Sequence, residues 1–136
     1  MNDQMTEEEV QSDRLDGVRV LIVDDDRDVV DTFRMALEAE GAEVSVATDG
    51  NTGVRRATEE KPDLVVLDLM LPGRSGFLAL EKIKGRSDSP SVIMVTANEG
   101  RRHAEYAEQM GVDAYLVKPV PLGQLIEHIE RLTASA

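Results

Sequence analysis

Five side chains in this sequence are of types that can act together on a transferring phosphoryl group. They are the paired carboxylates Asp24 and Asp25, the carboxylate Asp68, the hydroxyl of Thr96 and the ammonium of Lys118. Each stands at the end of a short aliphatic run: Arg19-Val-Leu-Ile-Val23 before Asp24, Leu64-Val-Val-Leu67 before Asp68, Ser91-Val-Ile-Met-Val95 before Thr96, and Ala114-Tyr-Leu-Val117 before Lys118. Taken singly, each has an ordinary reading. An aspartate after a strand commonly serves in a turn or as a helix cap. Asp26 is expected to cap the helix that follows it, and Lys118-Pro119 can be plain loop. Four such placements at the same end of four strands are harder to explain as turns alone. Three close carboxylates repel one another and call for a counter-charge. An all-oxygen donor set suits a hydrated divalent cation such as Mg²⁺. Mg²⁺ and Lys118 together would make a cationic pocket around Asp68, suited to the oxygens of a transferring phosphoryl group. An aspartate can be the attacking oxygen and hold an acyl phosphate.

Such a site needs elements that bring four strand ends together. Leu64-Val-Val-Leu67 and Arg19-Val-Leu-Ile-Val23 lack alternation, as buried strands do, and Ser91–Thr96 and Ala114–Val117 read as two further strands. Glu43-Val-Ser-Val-Ala47 alternates, as a more exposed strand would. Between the strands, Val29, Val30, Phe33 and Leu37 recur at helical spacing up to the stop at Gly41. Residues 51–60 form a weak helix with Val54 and Ala57 inward. Phe77, Leu80 and Ile83 mark a short helix, residues 101–110 a polar one, and Leu122, Leu125, Ile126, Ile129 and Leu132 the stripe of a last helix. Strands alternating with helices in this way predict right-handed crossovers and an α/β fold. The expected architecture is a doubly wound five-stranded parallel sheet of order 2-1-3-4-5, flavodoxin-like (βα)5. In that order the first and third strands are neighbours at the switch point, where ligands bind outside the strands' carboxyl ends.

The bulk numbers narrow the classes further. The 136 residues suit one domain, and with 41% hydrophobic and 31% charged residues the chain is globular. A net charge of -12 speaks against a nucleic-acid surface and against anionic membranes. Cysteine is absent, which removes disulfides, thiolate metal sites and thiol chemistry. No apolar stretch is long enough to span a bilayer, and the acidic start is unlike a signal peptide; a cytoplasmic location is expected. Residues 1–17 read as an acidic flexible tail, with a capping box at Thr6-Glu-Glu-Glu9 compatible with a short helix. Residues 18–136 read as the folded domain, with no room for a second one after Leu132. His103 and His128 fall on predicted helices without metal-ligand spacing and are expected at the surface. No G-x-G-x-x-G or P-loop pattern occurs.

Four motifs together, Leu21-Ile-Val-Asp-Asp-Asp26, Asp68-Leu-Met-Leu-Pro-Gly73, Val95-Thr-Ala97 and Lys118-Pro119, resemble the response-regulator receiver domains of two-component signalling. The resemblance covers about residues 18–132 and implies a role for each matching position. Asp68 resembles the phosphoacceptor. Asp25 resembles the direct Mg²⁺ ligand and Asp24 the one acting through water, with Met70 giving its backbone carbonyl to the metal. Thr96 resembles the switch hydroxyl, Lys118 the lysine that pairs with the phosphoryl group, and Tyr115 the switch aromatic. The Lys118-Pro119 bond is implied to be cis.

Implied partners are a sensor histidine kinase or a histidine phosphotransfer protein, and a downstream protein target. Assembly is implied to be monomeric or a phosphorylation-dependent dimer, and the chain a stand-alone receiver that works through protein contacts, as a motility target's regulator, a phosphorelay intermediate or a phosphate sink. Such a protein catalyses its own phosphorylation and dephosphorylation, yet is mainly a switch rather than an enzyme. Met70 and Asn98, at the positions that vary within the family, offer no charged base to orient attacking water, so self-dephosphorylation is expected to be slow. Ser75 stands where many relatives carry Asp. A receiver-like interaction module that is never phosphorylated is the alternative reading. A haloacid-dehalogenase-type hydrolase would want a second Asp where Met70 stands, and a flavodoxin would want a hydroxyl-rich loop after the first strand.

Overall fold

A computed structural model of the chain describes residues 13–97 and 100–134. Strands and helices alternate along it: β1 (Arg19–Val23), α1 (Arg27–Ala39), β2 (Glu43–Ala47), α2 (Gly50–Glu60), β3 (Leu64–Leu67), α3 (Gly76–Lys84), β4 (Ser91–Thr96), α4 (Arg101–Gln109), β5 (Ala114–Val117) and α5 (Leu122–Thr133). All strand pairs are parallel, in the order β2-β1-β3-β4-β5. The expected doubly wound order is therefore the observed one.

The side-chain period of two along each strand splits the core into two halves. Val20, Ile22, Leu64, Val66, Ile93 and Val95 face α1 and α5, against Phe33, Leu37, Leu125 and Ile129. Leu21, Val23, Val65, Leu67, Val92 and Met94 face the other way, against Ala57, Leu80, Ile83 and Ala107 of α2, α3 and α4. Both faces of β3 are thus covered and all its residues are buried, which is why its sequence shows no alternation. β2, at the edge, carries Glu43 exposed and Val44 to Val46 half-buried. Helix α4 is the least embedded, with Ala107 its one buried residue among those described.

The acidic tail was expected to run through Gly17. Of it, residues 1–12 lie outside the described residues, as does the capping box at residues 6–9. Asp13 to Gly17, by contrast, are part of the folded unit. Leu15 is fully buried in the α1/α5 half of the core. Its N–H donates to the Glu40 carbonyl at 2.8 Å, and Arg14 pairs with Glu130 at 2.9 Å. One leucine in an acidic stretch has a hydrophobic slot waiting, and composition averaged over 17 residues hides it. The histidines also sit deeper than expected. His103 is half-buried and stacks on Phe77 at 5.7 Å between ring centroids, while Tyr106 meets the same ring edge-on at 4.9 Å. His128 is half-buried with Nδ1 2.8 Å from Arg131 Nη2.

Candidate phosphoryl and metal site

The register of the sheet decides which polar residues meet. Val23 of β1 lies opposite Leu67 of β3, so Asp24 and Asp68 leave the sheet side by side. Two backbone bonds extend the ladder past the strand ends: Asp68 N–H donates to the Val23 carbonyl at 2.9 Å, and Asp24 N–H to the Ala47 carbonyl at 3.1 Å. Across β4 and β5, Thr96 lies opposite Val117, and Lys118 N–H donates to the Thr96 carbonyl at 2.8 Å. Asp24, Asp68, Thr96 and Lys118 therefore share the carboxyl edge of the sheet, and the first three are buried.

Asp24, Asp25 and Asp68 each place a carboxylate oxygen within 4.8 Å of the others. Asp25 is exposed while its two neighbours are buried. Three hard oxygen donors, with one open side through which waters and an ion can pass, fit a divalent cation such as Mg²⁺. Lys118 reaches in from β5, its Nζ 2.9 Å from Asp24 Oδ2 and 3.7 Å from Asp68 Oδ2. Burial pushes the Asp68 carboxyl pKa up, and the charge of Asp24 adds to this. Lys118 and the N–H groups of Met70 and Leu69 act the other way without cancelling it. Burial pulls the Lys118 ammonium down, but its hydrogen bond to Asp24 and the charges of Asp24, Asp68 and Asp26 more than offset that, and its pKa stands raised.

The loops behave as the residue types dictate. Asp26 caps α1, accepting from Asp28 N–H at 3.0 Å and Val29 N–H at 3.3 Å. Asp24 Oδ1 accepts from Asp26 N–H at 2.9 Å, which leaves its Oδ2 for Lys118. Met70 is exposed, and its N–H donates to Asp68 Oδ1 at 3.3 Å. Ser75 caps α3 through Leu78 N–H at 3.3 Å. Tyr115 is half-buried on β5, facing the α4 side of the core. The Lys118-Pro119 bond is cis. Asn98 falls outside the described residues.

Two features of the site carried no legible signal of their own. Gly76 starts α3 where a Cβ would collide with the Asp68 carbonyl oxygen and the Leu69 backbone. A G-x-x-G spacing at 73 and 76 in the loop after a candidate nucleophile is the pattern that could have pointed to it. Beside Lys118, a groove of about 460 Å³ is lined by Val29, Phe33, Pro119, Val120 and Leu122, with Asp28 and Thr32 completing it. Its walls come from α1 and from the segment after β5, so only the folded sheet brings them together.

A family model described as the response regulator receiver domain matches residues 20–130. The chain is similar to a CheY-like receiver domain protein of Methanospirillum hungatei JF-1, with 35% identity and a TM-score of 0.81 over 86% of this chain and 94% of that one. It is also similar to the response regulator domain of Thermotoga maritima CheB, at 26% identity and a TM-score of 0.79, covering 88% and 98%. A third similar structure is the receiver domain of a sensor histidine kinase from Pseudomonas aeruginosa PAO1, at 27% identity and a TM-score of 0.80, covering 88% and 99%. That protein was solved with a magnesium ion coordinated in its active site cleft.

Proposed function

The chain belongs to the response regulator receiver domain family, and on that premise we propose that it is a phosphoacceptor switch. The phosphoryl donor is a phosphohistidine on a sensor histidine kinase or a histidine phosphotransfer protein. An Asp68 carboxylate oxygen attacks phosphorus, the P–N bond breaks, and the imidazole leaves with the bonding pair. The observation that carries this reading is Asp68 itself: a buried carboxylate at a strand end, within 4.8 Å of two others, with an ammonium at 3.7 Å.

Each neighbour has a part. Asp24, Asp25 and the Met70 carbonyl, with Asp68, would hold Mg²⁺. When bound, the ion supplies the positive charge that lets phosphoryl oxygens approach a carboxylate cluster. Lys118 orients the Asp68 carboxylate before transfer and pairs with a phosphoryl oxygen after it. Thr96 gives its hydroxyl to another of these oxygens. Acyl phosphate adds roughly one to two negative charges locally, and this biases a two-state element: Thr96 draws in, and Tyr115 changes rotamer. The readout is a protein-binding face built from α4, β5 and α5, on which Arg101, Arg102 and Glu105 are exposed.

Among the described residues no helix is long and apolar enough to cross a membrane, which is compatible with the cytoplasmic setting such a pathway needs. Radiolabelled acetyl phosphate tests the proposal. Label should enter the protein only with Mg²⁺ present and should be lost in Asp68→Asn. Labelling of that variant to the wild-type level would refute the assignment, and no labelling of the wild type would favour an interaction module that is never phosphorylated.

A further inference from the structure

The loop between β3 and α3 carries Met70, and the first turn of α2 holds it from outside. Arg74 Nε donates to Asn51 Oδ1 at 3.0 Å. Gly50 N–H donates to the Pro72 carbonyl at 3.2 Å. Gly50 also lies directly under the Arg74 carbonyl, where a Cβ would collide with it. Asp49 fixes the turn from which Asn51 projects, accepting from Thr52 N–H at 2.8 Å and from its hydroxyl at 2.9 Å. The inner side of the loop closes on the site: Met70 N–H donates to Asp68 Oδ1, and Gly76 N–H donates to the Leu69 carbonyl at 2.8 Å. The loop is therefore gripped at two places, by Asp68 on one side and by α2 on the other.

We propose that Asn51 and Arg74 are positioning residues for the metal and phosphoryl site, clamping the Met70 loop to the amino end of α2. Neither touches the carboxylates in the contacts described above; they act by holding the Met70 backbone where its carbonyl faces the ion. The inference rests on the proposed reading of that carbonyl. A tied loop presents it preformed, whereas a free loop must be ordered at the moment the ion binds, and that ordering weakens binding. Electrostatics gives the proposal a distinctive sign. Removing the Arg74 charge by itself favours a nearby cation, so weaker binding in an Arg74 variant cannot come from charge.

The test is a calorimetric Mg²⁺ titration of the full chain carrying Asn51→Ala, Arg74→Met or both, with amide exchange of the Met70 and Leu71 N–H groups read in metal-free protein. Loss of one charge-assisted hydrogen bond should weaken Mg²⁺ roughly 3- to 10-fold in each single variant. The double variant should be no worse than the worse single, because both remove the same bond. Exchange at Met70 and Leu71 should quicken while exchange in β1 and β3 stays put. Asn51→Asp, which keeps an oxygen acceptor for Arg74, should restore that protection. Unchanged affinity, additive losses, or unchanged loop exchange would each overturn the clamp. Wild-type protein that fails to bind Mg²⁺ would instead remove the metal reading, and the exchange comparison, which needs no metal, would still judge the hold on the loop.

Discussion

Asp68→Asn is expected to stabilise the metal-free protein. In the folded state the Asp68 carboxylate is 6% exposed, has carboxylate neighbours within 4.8 Å and an ammonium at 3.7 Å. At an effective dielectric of about 20, a like-charge pair at that carboxylate spacing costs about 3.5 kcal/mol and the Lys118 contact returns about 4.5 kcal/mol. Asp24 and Lys118 thus nearly cancel. Burial and the second, more exposed carboxylate decide the balance, at about 1–2 kcal/mol against the charged form. Asparagine keeps the shape and an acceptor for Met70 N–H, so the gain should appear as a melting temperature roughly 3–10 °C above wild type at neutral pH. The raised Asp68 pKa sets the pH window. A carboxyl that holds its proton more tightly when folded favours folding below its ordinary range and loses that contribution as pH rises through the raised value. The gap between variant and wild type should therefore be small in acid, open across that window and be full at pH 7. Mg²⁺ should reverse it: at about 100 times its Kd the ion adds about 2.7 kcal/mol to wild type and less to the variant. Thermal melts with chelator and with Mg²⁺, across pH, check this. A variant that melts at or below wild type in chelator at pH 7 would show that Lys118 outweighs burial and repulsion, and the charge argument would fall.

Lys118→Met should have the opposite effect in chelator, because it leaves Asp24, which is 3% exposed, without its 2.9 Å partner; a loss of about 3 kcal/mol at pH 7, partly recovered by Mg²⁺, is expected in urea unfolding. Leu15→Ala should cost about 2–5 kcal/mol, read by chemical denaturation. Gly76→Ala should push the α3 start off the Asp68 carbonyl and slow acetyl-phosphate labelling as well as lower stability, because the methyl has backbone, not a movable side chain, against it. Met70, exposed beside Asp68, offers no group to orient attacking water, so the acyl phosphate should persist well beyond seconds by radiolabel decay, and Met70→Glu should shorten its life.

Most of the fold was legible because β1, β3 and β4 are buried on both faces, and burial of that kind writes uninterrupted aliphatic runs. The ends of β1 and β3 were legible for the same reason: the run stops where the sheet stops, and the next residue is Asp24 or Asp68. The clamp was not legible. Asn51 and Arg74 lie 23 positions apart, in a helix start and a loop with no periodic pattern, and only the packing of α2 against the β3–α3 loop relates them. Leu15 was hidden by its acidic surroundings. His103 was read from its helix alone, while its burial depends on Phe77 of another helix.

On the proposed phosphoryl transfer, the same charges would give a metal a part in the reaction and not merely in the site. Asp24, Asp25, Asp68 and Lys118 leave two net negative charges at the strand ends when ionised. An incoming phosphoryl group brings more, against a carboxylate whose pKa is already raised by burial first and by Asp24 second. A divalent cation brings the starting cluster to neutrality, so that the approach is no longer repelled. Lys118 cannot supply this alone, since its nearer partner is Asp24. That pairing leaves the ammonium poised rather than spent. In the proposed acyl phosphate, Lys118 would trade the weaker contact at 3.7 Å for a more highly charged one without leaving Asp24. The site would thus gain a stronger ion pair only in the modified state, and that difference in free energy between the two states is what the proposed switching of the α4–β5–α5 face must draw upon.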